Sequence, residues 1–231
     1  MNLLMIFALT MCAFFLIYPH WKRRTIIKRW YHSLNLPQHL ATHQHLYQTV
    51  DGFALSKRAR LIGDAMEYTY GEIDFVSYIA LLSLTNPNPS TVFYDLGSGI
   101  GKAVIASAMV FKMQKCCGIE LFELLHQQAL HQLTLLKEMP DYRDKADIIQ
   151  FIHKDFLLAD FNDATLIFVN ATAYFGETWE RLMLRLKQMS SETLIITTSK
   201  KLPPDAFTLL STTTVRMSWG LVSAYIQRPI A

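Results

Sequence analysis

With 231 residues, 51% of them apolar, the chain has enough material for one sizeable core, so one catalytic domain with appendages is expected rather than two domains. The formal charge of +3 hides an asymmetry: five of the 22 Lys and Arg side chains (Lys22, Arg23, Arg24, Lys28 and Arg29) precede residue 30, where there is no acid, leaving 17 basic against 19 acidic groups. A polycation that coats nucleic acid is thereby excluded and no nucleic-acid partner is expected; the three cysteines (Cys12, and Cys116 beside Cys117) have neither C-x-x-C spacing nor an even count, which excludes a cysteine zinc site and a disulfide framework.

In chain order, Leu3 to Tyr18 is uncharged and almost wholly apolar, and Trp21 follows at the place of an interfacial aromatic. At ~1.5 Å per residue a helix here reaches roughly 25–30 Å, about a bilayer core. The expectation is a single-pass transmembrane anchor over residues 1–21. A cleaved signal peptide is the alternative, but the basic cluster follows the apolar run instead of preceding it, which places the body in the cytosol. Residues 22–66 read as a basic juxtamembrane helix, a break at Pro37 and further helical segments, the last from about Leu55 to Thr69. His39 and His43 share a helical face, as metal ligands do, yet no carboxylate or cysteine accompanies them, so a solvated linker is preferred and no metal site is expected.

From residue 71 the apolar positions Ile73, Phe75, Val76, Ile79, Ala80, Leu82 and Leu84 predict an amphipathic helix, stopped at Asn86-Pro87-Asn88-Pro89. Apolar runs at 91–96, 116–121, 148–153, 164–169 and 193–198 then alternate with helical patterns at 101–112, 123–138 and 177–189. Runs apolar throughout belong to a parallel sheet covered on both faces. The fold class is therefore α/β, a Rossmann-like doubly wound sheet over residues 67–231, with an antiparallel hairpin near Met217 to Gly220 at its edge.

Tyr94-Asp95-Leu96-Gly97-Ser98-Gly99-Ile100-Gly101-Lys102 joins the first strand to a helix, where glycines let the backbone approach a ligand and the helix end offers N–H donors. Glu120 ends the second strand 19 residues after Gly101, where an acid accepts hydrogen bonds from a ribose diol. A dinucleotide site usually reads G-x-G-x-x-G; here Asp95 precedes G-S-G-I-G and nothing glycine-like follows, which favours S-adenosylmethionine, with Asp95 facing its ammonium. A purely structural turn is the bland alternative. Ligands bind at the carboxyl ends of parallel strands, so Asp155 is a candidate acceptor from the adenine amino group and Phe156 a stacking partner, Asp155 being equally readable as a turn cap. Asn170 ends the fourth strand.

These residues resemble a known family, the non-SET protein-lysine methyltransferases of the disruptor-of-telomeric-silencing type, which methylate a core lysine of a nucleosomal histone. The likeness runs from about Tyr70 to Ile226 through Tyr70-Gly71-Glu72, the Asp95 to Gly99 loop, Gly118-Ile119-Glu120, Ile167 to Asn170 with Phe175-Gly176, Thr198-Ser199-Lys200, and Ser218-Trp219 with Val222-Ser223-x-Tyr225. It implies that Tyr70 and Glu72 form a loop over the cofactor, that Asp95, Gly97 and Gly99 hold its methionine part, with Ser98 and Gly101 of the same loop also counted as cofactor-binding, Glu120 the ribose and Asp155 with Phe156 the adenine, and that Asn170 lines the methyl-transfer channel. Asn170 and Tyr225, with an aromatic wall from Tyr174, Phe175 and Trp219, are the expected catalytic surroundings of a lysine amine, although such aromatics are more often plain core. Ile73 stands where the family has Thr, Ala224 where it has a first Tyr, and an extra residue separates Asn170 from Phe175. Three functions stay open: a protein-lysine methyltransferase, a methyltransferase for a small or lipid acceptor at a membrane, and a non-catalytic interaction module. The anchor and the acidic body together favour a lysine of a membrane-proximal protein over a nucleosome.

Overall fold

Five short apolar runs, each closed by a polar residue or a turn, form the parallel part of a seven-stranded sheet in the computed structural model, which describes residues 24–62 and 68–230. The chain divides into two compact units, Met1–His39 and Leu40–Ala231. In the first, residues 24–33 are helical and Asn35 takes a left-handed φ of 49° before helix α1 begins (Leu36–Tyr47). The break expected at Pro37 thus falls at Asn35. Pro37 sits in the first turn of α1, where its missing N–H has no helical partner to lose.

In the second unit, α2 (Gly52–Ala59) is N-capped by the Asp51 carboxylate, which accepts from Ala54 N–H. It runs into a single 3₁₀ turn over Arg60–Ile62; residues 63–67 of the helix expected from about Leu55 to Thr69 lie outside the described residues. Asp74 caps α3 (Phe75–Ser83) in the same way, and Phe75, Tyr78, Ile79, Leu81 and Leu82 turn one face into the core. Then come β1 (Val92–Leu96), α4 (Lys102–Val110), β2 (Lys115–Glu120), α5 (Glu123–Glu138), the short α6 (Arg143–Ala146), β3 (Ile149–His153), β4 (Leu166–Val169), α7 (Gly176–Lys187), β5 (Leu194–Thr198), β6 (Phe207–Met217) and β7 (Gly220–Pro229).

The strand order is β3-β2-β1-β4-β5-β7-β6. All five strands from β1 to β5 pair in parallel; β7 enters antiparallel between β5 and the edge strand β6. Every residue of β1 and of β4 is buried, as helices on both faces require. Cys116 and Cys117 are buried in β2, and burial raises both thiols well above their ordinary range, so they act as small apolar residues. One core layer joins Leu96, Ile119, Phe161, Ile167, Leu182, Leu186 and Phe207, each such large side chain contributing about 1.5–3 kcal/mol by burial. The order reverses between β1 and β4, so the carboxyl ends of β1, β2 and β4 frame the crevice where such sheets bind ligands.

The expected transmembrane anchor, and with it the single-pass membrane localisation, is corrected here. No helix among the described residues is long and apolar enough to cross a membrane. The longest helix among the described residues, α5, has 16 residues and rises only about 24 Å, against a bilayer core of about 30 Å. The helical stretch 24–33 carries Arg24, Lys28 and Arg29. The apolar run at residues 3–18, on which the expectation rested, lies outside the described residues.

Candidate functional site

A cavity of about 520 Å³ opens at the carboxyl ends of the central strands, within the usual size range for small-molecule sites. Asp95 and Gly97 reach it from β1 and the loop beyond, with Ser98 and Gly99; Glu120 reaches it from β2, Asp155 and Phe156 from the turn after β3, and Asn170 from the end of β4. Tyr70 and Glu72 cover it from the segment ahead of α3. Of the expected site residues, Gly101, Phe175 and Tyr225 do not line it.

The glycine loop is built by sterics. Gly99 has φ 55°, and a Cβ there would lie 2.7 Å from Cε2 of Tyr70. Gly101 has φ 82° and opens α4; a Cβ on it would meet Phe151 at 2.5 Å. Gly101 therefore permits the close packing of α4 on β3 instead of facing the cavity. Ser98 is buried with its Oγ unpartnered among the described residues.

Glu120 is the hinge of the site. One carboxylate oxygen accepts from Gly99 N–H and the other from Phe122 N–H, both at 2.8 Å, and the side chain is 6% exposed. Burial raises its pKa against the pull of those bonds. Asp95 stands beside it, 4% exposed; burial first and the Glu120 charge second push its pKa up to about 8. Two buried acids side by side are costly unless a cation joins them.

Asp155 accepts from Leu157 N–H at 2.8 Å, so the turn-cap reading of this residue describes a real bond, while its side chain also borders the cavity. Phe156 packs at 5.2 Å on Tyr174, and Phe122 stands edge-on to Tyr68 at 5.0 Å.

Asn170 ties three segments together. Its Oδ1 accepts from Thr198 Oγ1 (2.7 Å) and Thr172 Oγ1 (3.1 Å), and its Nδ2 donates to the Gly71 carbonyl (3.3 Å). Thr172 and Ser199 exchange a further hydroxyl bond of 2.7 Å. The cover over the cavity is stitched to the β6–β7 turn: Ser218 N–H donates to the Glu72 carbonyl, Asp74 N–H to the Arg216 carbonyl, and Ile73 bridges Met217. Trp219 lies over Gly71 and Tyr174 reaches under Gly97, so both join the wall; Phe175 is 53% exposed and does not line it.

The register explains Tyr225. Ala224 pairs with Thr198 and Tyr225 with Thr197, and neighbours along a strand point to opposite faces. The Thr198 side chain reaches Asn170, so position 224 shares the site's side of the sheet and Tyr225 takes the other.

Contributions from the cap were not anticipated: Phe53 and Ser56 of α2 line the cavity, as do Phe122 and Lys102. His43 is buried between Tyr47 and Phe75, its Nε2 donating to the Lys102 carbonyl at 3.1 Å, and burial lowers its pKa to about 4. Tyr47 donates to the Ile100 carbonyl at 3.0 Å. His39 is buried as well, which corrects the solvated-linker reading, and no metal-binding cluster occurs among the described residues.

Residues 63–218 match the family model described as "Histone methylation protein DOT1". The chain belongs to the DOT1 family. A Caenorhabditis elegans relative, "Histone-lysine N-methyltransferase, H3 lysine-79 specific", is 32% identical to this DOT1-family chain over 139 residues, 57% of the chain but 15% of the relative, so the chain spans a small part of that protein's length. Among solved structures, the RNA methyltransferase from Salinibacter ruber in complex with S-adenosyl-L-homocysteine superposes with TM-score 0.51 at 23% identity, covering 66% of this chain and 89% of that one. The S-adenosylmethionine-dependent methyltransferase from Thiobacillus denitrificans, also with S-adenosyl-L-homocysteine, does so with TM-score 0.51 at 11% identity, covering 68% and 92%. At these identities the likeness establishes the methyltransferase fold.

Proposed function

We propose that this DOT1-family chain transfers a methyl group from S-adenosylmethionine to the ε-amine of a lysine in a protein. The observation that carries the reading is the pair of buried carboxyls, Asp95 and Glu120, at adjacent strand ends in a cavity that also reaches Asn170 and Trp219. The residues present fit the cofactor. Two acids whose charge is disfavoured by burial are relieved by a cationic ligand.

In this reading Glu120 holds the ribose diol, Asp95 the ammonium, Asp155 the adenine amino group and Phe156 the ring, while Gly97, Ser98 and Gly99 bring the backbone close. Tyr70 and Glu72 close over them. When bound, the cofactor supplies a methyl group made electrophilic by a sulfonium. An acceptor amine would have to arrive neutral to take that methyl group. Tyr174, Phe168 and Trp219 favour that form by desolvation, and Asn170 fixes the channel that aligns it. No dedicated base is required.

Residues 67–231 are taken as the catalytic domain and 22–66 as a helical cap that supplies Phe53 and Ser56. With 17 basic against 19 acidic groups after residue 29, the acceptor is recognised as protein and not through nucleic-acid phosphates. The preference for a membrane-proximal acceptor rested on the anchor and falls with it. Incubation with methyl-labelled S-adenosylmethionine and either free histones, nucleosomes or lysine-blocked histones tests the function. Label in unblocked protein supports it; label that ignores lysine blocking, or none at all, overturns it.

A further inference from the structure

A sheet edge offers free N–H and C=O groups to any extended chain, and proteins guard it with charge, proline or a covering element. The edge strand β6 is guarded at one end only. Beyond residue 214 the segment ahead of α3 covers it: Asp74 N–H donates to the Arg216 carbonyl, Arg216 N–H to Ser77 Oγ, and Ile73 bridges Met217. From Thr208 to Thr214 the strand reads Thr-Leu-Leu-Ser-Thr-Thr-Thr, with no charge and no proline. β7 pairs with one side of this stretch, and among the described residues no other backbone bond is made to it. At about 3.3 Å per residue the open edge is roughly 23 Å long. Leu210, the extra residue of a bulge between Leu209 and Ser211, is its one irregularity, and Leu209 and Leu210 are 39% and 48% exposed.

The charges at its two ends select the occupant. Asp205 is exposed just before β6 and Arg216 is exposed near its far end, and neither has an ion-pair partner among the described residues. Antiparallel pairing with a second β6 turns each Arg216 toward the partner's Asp205, whereas parallel pairing sets like charges side by side. Between those ends every cross-strand neighbour is Thr, Ser or Leu, and facing threonines hydrogen bond readily. A charged segment of another molecule finds no opposite charge along the same stretch.

We infer that the chain forms a two-fold dimer by antiparallel pairing of β6 with β6 of a second copy over residues 208–214. The two seven-stranded sheets join into one, and the contact closes on itself, since each copy spends its β6 edge on the other. The cavities lie at the carboxyl ends of the parallel strands, so a two-fold axis across the joined sheet opens them at opposite edges and leaves both mouths accessible.

Sedimentation velocity of the full chain tests this, with thermal melts to show that each variant is folded. The wild type is expected to sediment as a dimer. Thr212→Lys, which brings two ammonium groups close to the two-fold axis, is expected to weaken the dimer roughly tenfold or more. Arg216→Asp is expected to weaken it by a smaller factor, and Arg216→Asp combined with Asp205→Arg to restore it, a rescue that damage to the fold of one chain would not give. A monomeric wild type, a dimer indifferent to Thr212→Lys in the folded variant, or a double variant no tighter than Arg216→Asp alone overturns the inference.

Discussion

Replacing Glu120 by glutamine leaves the shape of the side chain and removes one acceptor oxygen with its charge. In the native protein the two carboxylate oxygens serve two backbone donors, Gly99 N–H and Phe122 N–H, each at 2.8 Å. An amide keeps one of them and turns an NH₂ group toward the other. The loss of one charge-assisted bond, with a buried donor left facing a donor, costs about 2–4 kcal/mol. Relief of the repulsion with Asp95 offsets part of this. A net loss of about 2 kcal/mol lowers Tm by roughly 4–8 °C in a domain of this size.

Binding suffers separately. A carboxylate has about four lone-pair sites, two of them spent on the backbone, which leaves two for the ribose hydroxyls. Weakening those bonds costs about 2–4 kcal/mol, a rise in Kd of roughly 30- to 1000-fold. Calorimetry with S-adenosylmethionine and S-adenosylhomocysteine, which share the ribose, reads both losses together. A variant with the lowered Tm but Kd values within threefold of wild type for both ligands would show that Glu120 only braces the glycine loop, and the ribose assignment would be wrong.

Asp95 predicts a pH effect. Burial and Glu120 hold its pKa near 8 in the empty protein, so a cationic ligand must expel its proton at lower pH; S-adenosylmethionine affinity should rise from pH 6 to pH 8, and Asp95→Asn should be weaker but flat over that range. The same raised pKa means that its stabilising contribution is complete below the ordinary carboxylate range and is lost as pH rises through about 8, so urea unfolding of the empty protein between pH 6 and 8 should show a shallower decline in Asp95→Asn. Asn170→Ala, which removes the bonds to Thr198, Thr172 and Gly71, is expected to lower kcat at least tenfold, whereas Tyr225→Phe should change it less than twofold in a radiometric assay. Gly101→Ala forces a Cβ against Phe151 at a left-handed φ and should cost about 2–3 kcal/mol in chemical denaturation while leaving Kd within tenfold, a split that a ligand-contacting glycine would not give.

The parts of the site that were legible in the sequence are those where a local rule has a single outcome. A mostly apolar run with an acid at its last or next-to-last position, followed by glycines or a helix, places that acid at a strand end, as for Asp95 and Glu120. Residues 123–138 show helical spacing and no breaker, and α5 has those bounds. Where two outcomes share one pattern, sequence alone could not choose. In Ser223-Ala224-Tyr225 the strand period says that 224 and 225 face opposite ways but not which faces the site; only pairing of Ala224 with Thr198 settles it. Pro37 was the expected break, but proline is tolerated in a first turn, whereas the left-handed φ of Asn35 ends the helix before it. The chemistry of the cap was unreadable because Phe53 and Ser56 reach the cavity only once α2 is placed near strands far along the chain.

Lys102 was quoted in the glycine motif without a role, since its partner Glu72 lies 30 residues upstream and no spacing rule links the two. The same separation shows how the site is assembled. In the proposed reading, the groups at the adenosine end, Glu120, Asp155 and Phe156, come from a strand end and the turn after β3, whose positions the sheet register sets within a few residues. Those at the acceptor end come from three dispersed pieces: the cover at 70–73, Asn170 with its bonds to Thr172 and Thr198, and the turn at 217–219. A change at a strand end shifts one sheet-held side chain, but a change in any of the three pieces is passed to the others through the Asn170–Gly71 and Ser218–Glu72 bonds. Ile73, Ala224 and the extra residue before Phe175, the places where this chain departs from the family pattern, fall within or beside those pieces and spare the strand-end acids. If the chain transfers methyl groups to protein as proposed, its specificity is set at the acceptor end, where substitution of Ile73 by Thr should change the choice of protein substrate before it changes cofactor affinity.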